Sequence, residues 1–322
     1  MNRRIFLGGV AISSLGDSLR SFAAAVSSPK AIIDCHVHLF DVSRPQGVPW
    51  PSKDSGIYKT SLPDRYQKLA APHGVVGAIA IECSPWPDDN QWVLDVTAKA
   101  PIIVGTIGNL SPGTPEFRPQ LDRLHRNGRF RGIRNGNLWE GDRGKEILKP
   151  GVLADLKLMA AANLVLDTAN LEPTFIGATV RLTDQIPDLR VIIDHLPSLN
   201  PPGDPASRKI LDADLRQLAA RPQVFAKISG IVRRVDGRVP LDISFYRERL
   251  DHLWEVFGPD RLMYGSDWPN SDQFASYDDV FRLAREFIAS KDPVSIEKFY
   301  WRNSLKAYRW IHRDASQAIL QL

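Results

Sequence analysis

Eight short runs rich in β-branched residues, each followed by a helix-like amphipathic segment, predict an α/β fold: a (β/α)8 TIM barrel forming a single domain. The alternation runs unbroken from Ala31, and the 322 residues suit one large barrel once the first 25 are set aside. No Pro/Ser-rich linker, charge block or internal repeat divides the chain. Strands are expected at Ala31–His36, Val76–Cys83, Ile102–Ile107, Phe130–Arg134, Leu164–Thr168, Arg190–His195, Gln223–Ser229 and Arg261–Gly265. Helices fill the gaps at Leu62–Ala71, Gln91–Ala100, Phe117–Asn127, Gly151–Ala161, Thr174–Gln185, Ala206–Ala220, Phe245–Phe257 and Asp278–Ser290. Pro-rich loops at Arg44–Pro51 and Pro197–Pro205 follow the first and sixth strands, on the C-terminal face where such barrels build their sites.

Composition narrows the function classes. With 43% hydrophobic and 24% charged residues the chain is an ordinary globular protein. A net charge of +4, from 41 basic and 37 acidic residues, lacks the concentrated basic face of a nucleic-acid binder, so no nucleic-acid partner is expected. Two cysteines, Cys35 and Cys83, exclude a disulfide scaffold and a Cys-rich zinc module, and are expected as free thiols facing the helical layer.

Residues 1–25 read as an address. Arg3-Arg4 precede a modestly apolar stretch from Ile5 to Ile12, and Ala23-Ala24-Ala25 closes it as a small-x-small cleavage box. The pattern resembles a twin-arginine export signal, which places the working protein in the periplasm, beginning near Val26. The stretch is too short for an integral membrane span, so none is expected.

Polar residues converge on strand ends. In Asp34-Cys35-His36-Val37-His38, strict alternation puts Asp34, His36 and His38 on one face, aimed at the barrel mouth, and Ile33, Cys35 and Val37 on the other. Paired imidazoles can hold a metal or substrate; alone, H-x-H is weak evidence. His195 should finish the sixth strand, and Asp267 follows the eighth. A carboxylate there can take a proton from water, whereas Ser-Asp before Trp-Pro more commonly caps a helix. Beside His36, His38 and His195, catalysis is the better reading of Asp267. Glu82 and Arg134 end the second and fourth strands and Lys227 sits on the seventh; all three could bind substrate, and Glu82 could approach a metal, internal salt bridges being the competing explanation. Trp86, Trp139 and Trp268 could stack on a substrate ring, although core packing is the commoner use of such aromatics.

The stretches Asp34-Cys35-His36-Val37-His38, Asp194-His195 and Gly265-Ser266-Asp267-Trp268-Pro269 resemble the amidohydrolase superfamily, most closely its family-2 branch of sugar lactonases and 2-pyrone-4,6-dicarboxylate lactonase. The resemblance spans Ala31–Trp310. It implies a barrel, hydrolysis of a small carbonyl compound, His36 and His38 as metal or substrate ligands, and Asp267 as base. The fifth strand lacks the histidine, and the fourth the lysine, that two-metal members use. At most one divalent ion is therefore expected, zinc first, with a metal-free enzyme as the other case.

The leading expectation is a hydrolase opening a small lactone, a sugar lactone or a carboxylated one, with Asp267 activating water and His195 or Lys227 steadying the oxyanion where no metal binds. The alternatives are a metal-dependent decarboxylase of an aromatic or unsaturated acid, and a non-catalytic periplasmic sugar-acid binding protein. The partner is a small molecule; self-association into a homo-oligomer stays open.

Overall fold

The computed structural model describes residues 29–136, 143–169, 173–195 and 202–317. The export signal, Trp139, the chain start near Val26 and most of the Pro197–Pro205 loop lie outside these residues. Eight parallel strands pair in sequence order: β1 Ile32–Val37, β2 Val75–Ile81, β3 Ile103–Gly108, β4 Phe130–Gly136, β5 Val165–Ala169, β6 Arg190–Ile193, β7 Val224–Ile228 and β8 Leu262–Tyr264. β1 meets β8 through a parallel bridge between Val37 and Trp268. His38 N donates to Trp268 O at 2.7 Å and Asp267 N to His36 O at 2.9 Å, which closes the barrel. The expected (β/α)8 barrel is therefore the observed one, its strands lying within two residues of the expected bounds.

The helices form where the sequence punctuates them. Proline opens Pro63–Ala70, Pro150–Ala161, Pro173–Gln185 and Pro205–Ala219, where a missing N–H costs nothing. Tyr277–Ile288 is capped by Ser276, whose side chain accepts from Asp279 N, and buries Val280, Phe281, Ala284, Phe287 and Ile288 along one stripe. A segment beyond the eighth unit, not anticipated from periodicity, covers the bottom of the barrel. Trp301, Tyr308 and Trp310 pack with the inward side chains Ile33, Ile79, Val104 and Phe225. Arg131 Nε and Arg190 Nε donate to Tyr308 O and Ala307 O from the starts of β4 and β6.

Strict alternation fails on β1. Asp34 pairs with Ala78 but Val37 with Ala80, so one extra residue is accommodated between them as a bulge. Below the bulge Ile33 and Cys35 face the barrel interior, while Asp34 turns out to Tyr66 and Tyr277 of the surrounding helices. Above it, His36 and His38 face inward. The expectations that Asp34 shares the histidines' face and that Cys35 faces the helices are thus both corrected. Cys35 and Cys83 are free thiols.

Candidate active site

From the bottom upward, the barrel interior changes from apolar to ionic. The floor of Ile79, Ile81, Ile192, Phe225 and Met263 gives way to a layer of buried charges just under the C-terminal mouth. Lys227, on the inward face of β7 two residues beyond Phe225, is fully buried. Its Nζ donates to Asp167 Oδ2 of β5 and lies 2.7 Å from Asp194 Oδ1, and it approaches His36 Nδ1 at 3.3 Å. Arg134 of β4 reaches Asp194 Oδ2 with Nε at 2.8 Å and stands 3.9 Å from Glu82 Oε1. Tyr308, from the segment below, donates to Asp167 at 2.9 Å. Burial opposes the charge of Lys227 and of Arg134, but the neighbouring carboxylates outweigh it and hold both cations above their ordinary pKa. Asp194, also opposed by burial, is driven well below the carboxylate range by the charges of Lys227 and Arg134. Burial pushes Asp167 upward.

Above this layer three side chains converge. His36 Nε2 and His38 Nε2 are 3.2 Å apart, and Asp267 Oδ1 lies 3.7 Å from the first and 3.4 Å from the second. His38 Nδ1 contacts Ile81 O at 3.0 Å, and since a carbonyl only accepts, the proton sits on Nδ1 and the Nε2 lone pair faces the site. His195 closes the group, its ring centroid 4.5 Å from that of His36. Burial, joined by the Lys227 charge, holds His36 far below the usual imidazole pKa; His195 is also lowered, by burial first. Both rings are neutral. Burial would raise the Asp267 carboxyl, but the imidazoles of His195, His38 and His36 gathered around it outweigh burial and hold it below the usual carboxylate range. Its Oδ2 accepts from Asn270 Nδ2 at 2.8 Å; its Oδ1 is buried with no hydrogen-bond partner among the described residues.

Backbone strain marks the same residues. His195 and Asp267 have φ of 56° and 60°, a left-handed conformation that bulky residues seldom adopt and that persists where the surroundings enforce it. The side chain of Asp267 caps no helix: the one-turn helix Asn270–Gln273 has no side-chain cap bond.

The donor set fits one divalent ion. Ligand atoms of His36, His195 and Asp267 all lie within 4.8 Å of one another. Neighbouring ligands of a tetrahedral ion with bonds of about 2.0–2.1 Å are about 3.3 Å apart, close to the separations among His36, His38 and Asp267. A buried carboxylate oxygen without a partner among the described residues, set beside imidazoles, is what such an ion satisfies.

The expected site residues come together, with two corrections. Trp268 is fully buried in the outer layer, its ring 5.4 Å from Tyr66 and under the Arg65 guanidinium, and has no face for substrate. Lys227 lies beneath His36 with its donors taken by Asp167, Asp194 and His36, so it does not reach into the mouth. The competing salt-bridge explanation is realised there and at Arg134, which nevertheless keeps Nη2 directed at His195 Nε2 at 3.5 Å. Glu82 is buried at the rim and accepts from Ser84 N. Sequence reasoning missed Ser229, Gly230, Asn270 and Trp50. The last stands 5.6 Å from the His38 ring on the Pro-rich first loop, whose tryptophan flanked by prolines was the available signal.

A sequence model of the family described as Amidohydrolase matches residues 33–310. The chain belongs to the amidohydrolase family. This amidohydrolase is 28% identical over 246 residues to an L-fucono-1,5-lactonase of Burkholderia ambifaria, covering 74% of this chain and 80% of that one. An L-fucono-1,5-lactonase of Burkholderia multivorans is 26% identical over 286 residues, 84% of this chain and 92% of the relative. Among solved structures, an amidohydrolase of Burkholderia multivorans with bound zinc superposes with a TM-score of 0.76 at 22% identity, over 87% of this chain and all of that one, which shows the shared fold. Among the described residues no helix is long and apolar enough to cross a membrane.

Proposed function

We propose that this amidohydrolase opens a small cyclic ester, with Asp267 as the general base that activates water. The observation that carries the reading is Asp267 Oδ1: buried, without a hydrogen-bond partner among the described residues, and facing the Nε2 atoms of His36 and His38 at the barrel mouth. The two lactonase relatives support the substrate class, a sugar lactone before a carboxylated one.

In this reading water sits against Asp267 Oδ1 and gives it a proton as its oxygen attacks the ring carbonyl. His195 cannot donate to the oxyanion, because its Nε2 accepts from Arg134. Lys227 is committed below. The stabilising donor is therefore Arg134 Nη2, a fixed cation at the mouth. The tetrahedral adduct then expels the ring alkoxide, which recovers the proton from Asp267, leaving a free hydroxyl and a carboxylic acid that loses its proton to solvent. A divalent ion, zinc by its ligands, would be held by His36, His195 and Asp267, with His38 beside them, taking the His195 lone pair in place of the Arg134 N–H, and when bound would polarise the carbonyl and acidify the water.

Acid release from a panel of neutral sugar lactones and carboxylated lactones, with and without chelator, tests the proposal. Ring opening by the purified protein supports it. Carbon dioxide from an aromatic acid instead would make the protein a decarboxylase, and ligand binding without turnover would make it a binding protein. We propose further that residues 1–25 direct export to the periplasm; replacing Arg3 and Arg4 with Lys should then trap the precursor inside the cell, and undiminished export would remove that reading.

A further inference from the structure

Ser229 lies one residue past β7 and is fully buried, with Oγ 3.0 Å from His195 Nδ1. On the opposite side of the same ring, Arg134 Nη2 directs an N–H at Nε2. A guanidinium offers only donors, so this contact leaves the lone pair on Nε2 and the proton of the neutral ring on Nδ1. That proton needs an acceptor, and Ser229 Oγ is the atom in place. The other neutral tautomer would set an Nε2–H against the Arg134 N–H.

The backbone is shaped around this contact. Gly230 has a φ of 60°, and a Cβ there would stand 3.3 Å from His195 Nδ1 and 3.8 Å from Asp267 Oδ2. Across the β7–β8 pair, a Cβ on Gly265 would lie 3.0 Å from Ser229 Cβ and 2.9 Å from His36 Cβ. Ser229 thus sits against two residues without side chains, in a bed that admits a hydroxyl but little more, while His195 is held in its own left-handed conformation directly above.

We propose that Ser229 is a positioning residue: by accepting the Nδ1–H of His195 it fixes the ring's orientation and tautomer, and so keeps the Nε2 lone pair turned toward the mouth. Only the effect on turnover rests on the hydrolase reading above; the tautomer does not.

The test uses the full chain labelled with 15N-histidine at neutral pH, with H195N to assign the ring. Wild type should show His195 protonated at Nδ1 and unprotonated at Nε2. S229A should change that pattern and lower kcat by roughly 10–100-fold with KM little altered, the usual effect of losing a histidine's outer partner. A wild-type His195 protonated at Nε2, or an S229A protein with unchanged ring signals, would overturn the proposal. The wild-type spectrum decides even where S229A fails to fold. Absence of lactone turnover in wild type would count against the hydrolase reading and leave the tautomer to the spectrum.

Discussion

At Asp267 two chemistries compete for one carboxylate: capping the turn that follows Trp268-Pro269, or moving a proton at the barrel mouth. Among the described residues the side chain caps no helix, and its Oδ1, without a hydrogen-bond partner there, faces two imidazoles. Asp267→Asn, which keeps the size but removes the proton acceptor, should lower lactone hydrolysis by roughly 10²- to 10⁴-fold. The thermal midpoint should move little, because no helix depends on the carboxylate. A variant that melts early yet turns over normally would make Asp267 structural after all. That polar residues gather at strand ends was legible in the sequence, since position along a barrel strand predicts which face of the fold a residue reaches. What each meets there was not. Lys227 and Arg134 could equally serve substrate or internal ion pairs, and the choice was made by Asp167 and Asp194, which arrive from other strands through pairings the sequence does not spell out. Trp268 was misread for a related reason: directly after an inward carboxylate in a strained turn, its ring is carried out to Tyr66.

At the scale of the element, β1 shows where a pattern rule stops. A period of two would face Asp34 with the histidines, and one inserted residue reverses that. Asp34 then fixes the seam between the first and last strands. Its Oδ1 accepts from Ser266 N at 2.9 Å and His36 N at 3.1 Å, and its Oδ2 from the Tyr66 hydroxyl at 2.9 Å and the Tyr277 hydroxyl at 3.3 Å. Asp34→Ala would leave these buried donors without their acceptor, at about 1–3 kcal/mol for each that finds no replacement. It should therefore be among the more destabilising single changes in the chain, read as a lower urea midpoint with an unchanged slope. An Asp34→Ala protein as stable as wild type would show that the seam holds without it. No local signal marks the bulge; the β1–β2 pairing reveals it, whereas the pairings of β5 with β6 and of β7 with β8 show no register shift.

For the whole molecule, eight alternating units fixed the topology, because right-handed parallel crossovers leave few other ways to arrange them. The floor of the barrel was less legible. Trp301, Tyr308 and Trp310 belong to a segment that follows the last expected helix, and nothing in its spacing says it returns beneath the strands. Arg313, from the same segment, donates to the carbonyls of Thr97, Ala98, Ala100 and Ile103, tying the chain end to the β2–β3 crossover. With Arg134 on β4 and Asp167 on β5 both engaged in ion pairs, one cluster of metal-ligating groups stands at the mouth among the described residues. Elemental analysis of purified protein should accordingly find no more than one divalent metal per chain, and two would require ligands from β4 or β5. The proposed reaction stands on attack by water at a ring carbonyl. Turnover of a lactone in H2(18)O, followed by mass spectrometry of the product, tests this most directly. One 18O in the new carboxylate is the predicted result; label on the hydroxyl, or a product that has lost carbon dioxide, would contradict it.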